Sequence, residues 1–290
     1  MIQLVSRTLS ADTDQHLNQL QIKVDSEPVF HAKVGKAETL WNGKKKSKKG
    51  KIAFDEIVST LKQMCVSVEV CNYCEQNEAN DIEHIYPKSL FPELAFIWRN
   101  YLLACKQCNT AYKLDAFAVF DTDGNLIDIP RGTKPLHVHG AFINPRVENP
   151  SDFFVLTFPS FKFEILANPG TIDYFKAAKT LEILQLNDRD TLLQARKAAA
   201  KYFYQRLHLL HQALNAKSKQ TFFGLLSPYD KCLDQKESLP VLQQILTKEI
   251  QEDIQTHQHP SVWYAIKLIA SKTDPKWQNL FQALPEALHW

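Results

Sequence analysis

The chain is expected to be an α+β protein in which a short strand, loop, strand, helix unit is pinned at its base by cysteines and flanked by helical sequence. Three observations carry this expectation. Two Cys-x-x-Cys pairs, Cys71/Cys74 and Cys105/Cys108, leave a gap wide enough for a hairpin. The gap holds an alternating polar and apolar run over residues 81–87, closed by Pro87, and an apolar run over residues 101–104, both strand signals. Outside this region apolar residues recur at three- and four-residue steps, the helical period.

Taken in order, residues 1–65 form an N-terminal helical segment with a Lys-rich loop. Leu17, Leu20 and Val24 repeat at helical intervals, so residues 1 to about 40 read as one helix packed on the body. Six lysines then lie between Gly43 and Lys51. Like charges at that density repel, which predicts a mobile loop. It is read here as a phosphate-contacting arm of Lys44, Lys45, Lys46, Lys48 and Lys49; a plain solvated loop is the alternative. Phe54, Ile57, Leu61 and Met64 mark an amphipathic helix that delivers the chain to Cys71, with Cys65 as a core thiol beside it.

Residues 66–135 form the central unit. Two thiolates separated by two residues reach one cation across a tight turn, and two such knuckles complete the S4 shell that zinc prefers in closed sites. Two disulfides, or buried apolar cysteines, are the bland readings, and a chain kept in a reducing compartment disfavours the first. Asn109 is expected to cap the helix that follows. Asp121-Thr122-Asp123-Gly124-Asn125 is a turn signal joining a small hairpin.

Residues 136–290 form a small hairpin and a helical C-terminal domain. His137 and His139 make an H-x-H with no further ligand in spacing and read as a polar strand face. Strand-like residues 153–158 and 161–166 are followed by helices over 172–186, from 188 to about 216 with Asn187 as cap, 239–255 and 261–271. Prolines 240, 260, 275 and 285 break the pattern. Cys232 shows no partner.

The composition bounds the function. With 290 residues, 44% of them hydrophobic, and a net charge of +2, this is a globular chain whose nucleic-acid contacts, if any, must be local. No apolar run approaches the ~20 residues of a membrane span. The opening residues lack a signal-peptide core, and the chain is expected in the cytoplasm. No Walker motif is present, so nucleotide dependence would have to come from another protein.

Chemistry concentrates between the knuckles. An imidazole is largely neutral at cellular pH and suits His84 to general-base work. Glu83 and Asn109 offer hard oxygens of the kind that bind Mg²⁺ or Mn²⁺ with waters retained. Asp81 shares the strand face of Glu83, while Lys88 and Lys113 are candidates for phosphate contact.

These residues carry a resemblance. The pattern C-x-x-C, acidic-His-x-x-P, N-x-x-L, C-x-x-C-N and a following lysine resembles the zinc-stapled HNH endonucleases with a ββα-metal core. IEHIYPKS with W-x-N-Y-L-x-x-C-x-x-C-N is similar to the PtuB family of Septu and related retron anti-phage systems. So are INPRVENPSDFF and residues 171–196. The resemblance implies that His84 activates water, that Glu83 and Asn109 hold the catalytic cation, and that Asn100 holds the loop carrying the base. The departing 3′ oxygen would leave a 5′-phosphate product. It also implies a PtuA-type ATPase partner, in some systems with a retron reverse transcriptase and its DNA/RNA, and a nucleic-acid substrate, DNA ahead of tRNA. The helical C-terminal half is the expected docking surface. A zinc-knuckle module that only binds nucleic acid or protein is the competing reading.

Overall fold

The computed structural model describes residues 1–226 and 233–290; Cys232 lies outside the described residues. Within the described residues the chain divides into two compact units, one of residues 1–155 and 162–192, the other of residues 156–161 and 193–290.

The first unit begins with α1 (Ala11–Asp25), α2 (Phe30–Asn42) and α3 (Lys48–Lys62). Ser10 caps α1 through its side chain, and Leu17, Leu20 and Val24 are buried. Where one helix was expected over residues 1 to about 40, two form. The break falls at Ser26 to Val29, where Pro28 removes a backbone donor.

The lysine run does not form the expected mobile loop. Ser47 caps α3 by accepting from the Gly50 amide, so Lys48 and Lys49 lie in its first turn. A Cβ on Gly50 would meet the Lys44 carbonyl at 2.2 Å, so only glycine lets this turn fold back on the helix. Lys45 and Lys51 share the Asp55 carboxylate at 2.7 Å each, which offsets the repulsion that the sequence suggests. The buried face of α3 is Phe54, Ile57 and Leu61, in the expected helical spacing.

The central unit is a two-stranded antiparallel sheet, β1 (Asp81–His84) with β2 (Tyr101–Ala104), followed by a π-helical turn over Gln107–Lys113. Glu83 pairs with Leu102 and His84 with Tyr101 in the register. Asn109 does not cap this helix. It sits two residues inside it, with its amide bonded to the Cys105 carbonyl, and the wide turn closes from Leu114 N–H to the Asn109 carbonyl. The expected hairpin is β3 (Ala118–Phe120) and β4 (Leu126–Asp128), closed by Asp121, whose carboxylate accepts from the Asp123 and Asn125 amides. A third strand, β5 (His139–Gly140), joins β3 on its other side. There His139 is exposed, its ring 5.3 Å from that of Phe120.

β6 (Phe154–Leu156) and β7 (Phe163–Ile165) make a second small sheet. α4 (Ile172–Leu184) is capped by Thr171 and packs Phe175 on the cluster of Ala118, Phe120 and Ala141. Asn187 does not cap the next helix. Its amide group instead makes both bonds to the Phe163 backbone, at 2.8 and 2.9 Å.

α5 (Asp190–Leu214) runs from the first unit into the second, which contains α6 (Lys219–Leu226), α7 (Leu239–Thr256), α8 (Pro260–Ala265), α9 (Ser271–Thr273) and α10 (Pro275–Ala283). The prolines open α7, α8 and α10, where a missing amide hydrogen costs nothing. No described helix is long and apolar enough to cross a membrane.

Candidate active site and metal centre

Cys71, Cys74, Cys105 and Cys108 are all buried, and their sulfurs lie within 4.8 Å of one another. None forms a disulfide; Cys74 and Cys105 are 3.9 Å apart, sulfur to sulfur. Each knuckle is fixed by its own backbone. The Glu75 amide reaches the Cys71 carbonyl at 2.8 Å, and the Cys108 amide reaches the Cys105 sulfur at 3.4 Å.

Four crowded thiols cannot share their protons comfortably without a cation. Burial and then the neighbouring thiols push Cys71 well above its ordinary range, while hydrogen bonding from Cys108 draws Cys105 down to about 6. The donor set and its closure fit a structural zinc. Asn77 approaches the Cys105 sulfur at 3.6 Å, and Arg189 donates to the Cys108 sulfur at 3.3 Å.

Above the knuckles, β1 and the π turn line a cavity of about 290 Å³ with Glu83, His84, Lys88 and Asn109. α2 supplies the facing wall through Val34, Glu38 and Trp41. His84 is 6% exposed, and its Nε2 lies 2.9 Å from the Ala95 carbonyl. A carbonyl only accepts, so Nε2 carries the hydrogen and Nδ1 keeps the basic lone pair. Burial, and next the charge of Lys88, pull the imidazole down to about 3. It is therefore neutral throughout the physiological range.

Glu83 is buried, with its carboxylate 2.6 Å from the Lys113 ammonium. Burial raises its pKa; the charge of Lys113 and its hydrogen bond oppose that rise. Lys113 also donates to the His84 carbonyl at 2.9 Å and is fully buried. The phosphate contact expected of it is not available in this arrangement, because its ammonium is already held inside. Asn109 donates to the Asp81 carboxylate at 3.3 Å, which leaves the Asn109 carbonyl oxygen free to act as a ligand. Glu83, Asn109 and the adjacent Asp81 are a sparse, hard oxygen set that fits a divalent cation keeping most of its waters.

Asn100 lies outside the cavity and does not touch these donors. Its Oδ1 accepts from the Tyr86 amide at 2.7 Å, and its Nδ2 donates to the Tyr86 and Leu94 carbonyls at 2.9 and 3.0 Å. It thus ties both ends of the loop between β1 and Ala95.

The lysines separate by position. Lys88 lines the cavity, with burial lowering its pKa. Lys44 is half-buried, its charge felt by Lys88 and Asp81. Lys45 is paired to Asp55, Lys46 is exposed, and Lys48 and Lys49 border a separate hollow with Asp12 and Thr13. Sequence reasoning missed Trp41 and Arg189. Both act on partners distant in the chain, and no local pattern marks either.

Residues 71–113 match the model of the HNH endonuclease family. The matched segment runs from the first knuckle to Lys113, and so spans both metal centres and His84. A relative is Septu protein PtuB of Bacillus thuringiensis, 28% identical over 134 residues, which is 46% of this chain and 40% of that protein's length. The chain thus spans well under half of the relative it matches. No solved structure matches the chain.

Proposed function

We propose that the chain is a metal-dependent HNH endonuclease that hydrolyses phosphodiester bonds, with DNA the favoured substrate and tRNA the second. The observation that carries this reading is His84, held by Ala95 so that a neutral Nδ1 serves a cavity shared with Glu83 and Asn109.

In this reading Nδ1 of His84 takes a proton from water as its oxygen attacks phosphorus. The bond to the 3′ oxygen breaks and the phosphate stays on the 5′ side. A divalent cation held by Glu83 and Asn109 supplies Lewis acidity where negative charge gathers. Lys88, with Lys44 nearby, offsets charge on the bound strand. Asn100 keeps the loop from His84 to Ala95 in place.

The similarity to PtuB supports a role as effector of an anti-phage system, acting with a PtuA-type ATPase, with the C-terminal helices as the docking surface. Purified protein with Mg²⁺ or Mn²⁺, given plasmid DNA and total tRNA in parallel, tests the activity. Cleavage by the wild type and not by His84→Ala, at equal zinc content, is the expected result. Inertness of the wild type on both substrates, alone and with the ATPase, would leave a zinc-knuckle binding module in its place.

A further inference from the structure

Trp41 stands in the last turn of α2, 30 residues before the first zinc knuckle and outside the segment that the HNH model matches. Its ring meets the His84 ring at 4.3 Å between centroids, edge to face at 65°. Tyr101 and Phe54 each lie 5.6 Å from it, and Phe96 lies 6.1 Å away. On its face the Lys44 ammonium stands 4.3 Å from the centroid, and it donates to the Trp41 carbonyl at 3.3 Å.

The imidazole needs this support. The second torsion of histidine is broad and nearly two-fold, so a single hydrogen bond does not fix the ring plane. Ala95 alone would allow the ring to tilt, or to exchange Nδ1 for Nε2. The Ala95 carbonyl is itself shared, since Tyr101 also donates to it at 2.7 Å. Two aromatic edges close the remaining freedom: Tyr101, 5.1 Å from the imidazole at 87°, and Trp41. A purely structural aromatic here would be sealed in the core, as Phe54 and Phe96 are at 0% and 1% exposure. Trp41 is instead half-buried and lines the same cavity as His84.

We infer that Trp41 is a positioning residue for His84, so that the N-terminal helices form part of the active site. The inference rests on the nuclease reading for its role, and on geometry for the contact. Trp41→Ala is expected to lower turnover roughly ten- to a hundredfold, the usual scale for a displaced catalytic group. KM should stay within about threefold, because Trp41 has no part in ground-state binding. Trp41→Phe keeps an aromatic edge and should recover most of the rate, and zinc content should be unchanged in both variants.

A second measurement does not depend on activity. With ¹⁵N-labelled histidine, and the His84 signal assigned by its loss in His84→Gln, the wild type should show a fixed Nε2–H tautomer. Trp41→Ala should show averaging between the two nitrogens, and Trp41→Phe should not. A Trp41→Ala protein with wild-type turnover, a defect confined to KM, or a phenylalanine variant as impaired as the alanine variant would overturn the inference. If the wild type cleaves nothing, the nuclease reading fails on its own account. The tautomer comparison then decides the contact, and an unchanged His84 signal in Trp41→Ala overturns it.

Discussion

The Lys113 ammonium lies 2.6 Å from the Glu83 carboxylate at a point where the two side chains are 0% and 2% exposed. A pair sealed in this way is costly to break from one side, because the remaining charge is stranded without water. Lys113→Met is expected to destabilise the protein by about 3–5 kcal/mol, read as a lower denaturation midpoint. Adding Glu83→Gln should restore part of that loss while leaving cleavage abolished. A double variant no more stable than the single one would show that the pair is not coupled.

Arg189 reaches the zinc knuckles from just before α5, with its guanidinium 5.0 Å over the Tyr112 ring and its Nη1 3.3 Å from the Cys108 sulfur. A bound zinc with four thiolates carries a net charge of minus two, and a buried guanidinium beside it offsets that charge. Arg189→Gln should release zinc to a chelator roughly tenfold faster, the lower end of what outer hydrogen-bond partners contribute to metal affinity. Arg189→Lys should fall between. Release at the wild-type rate in the glutamine variant would remove Arg189 from the metal centre.

Asn100 is a case where the isostere should be worse than the truncation. Its Nδ2 faces two carbonyl oxygens, of Tyr86 and Leu94. Asn100→Ala leaves those groups unpaired, a loss of about 1–3 kcal/mol. Asn100→Asp places a carboxylate oxygen against both and should destabilise further, while holding its bond from the Tyr86 amide. Melting curves of the two variants check the order; an aspartate variant at least as stable as the alanine variant would contradict it.

What the sequence reveals and hides follows from range. The cysteine spacing exposes the metal centre because each knuckle is local, and the Asp121 turn exposes its hairpin because the carboxylate bonds its own neighbours. The lysine run misleads because charge density is local but its relief is not. Asp55 neutralises Lys45 and Lys51 from within the next helix. The clue available was Ser47, a favoured cap one turn ahead of the apolar spacing that ends at Leu61. Asn187 and Asn109 misled for a related reason: an asparagine before or within a helix can as easily bond a distant backbone or carboxylate. Asn187 bonds Phe163, and Asn109 bonds Asp81. Trp41 and His84 are 43 positions apart, and only packing shows that they touch.

The depressed pKa of His84 makes an opposite forecast for rate and for stability. An exposed imidazole titrates near 6.5, whereas burial holds this one at about 3. Between those values the unfolded chain binds a proton that the folded chain refuses, so stability falls as pH falls from about 6.5 toward 3. The contribution is present above 6.5 and amounts to a few kcal/mol, roughly, when lost. The rate should behave differently, because the folded enzyme keeps a neutral base throughout. Cleavage measured from pH 8 to pH 6 should show no fall with an apparent pKa near 6.5, provided metal is saturating, while midpoints of unfolding over pH 7 to 5 should drop. An inflection in the rate near 6.5 would mean that His84 titrates as an exposed imidazole, and that the cavity beside Trp41 is open to water.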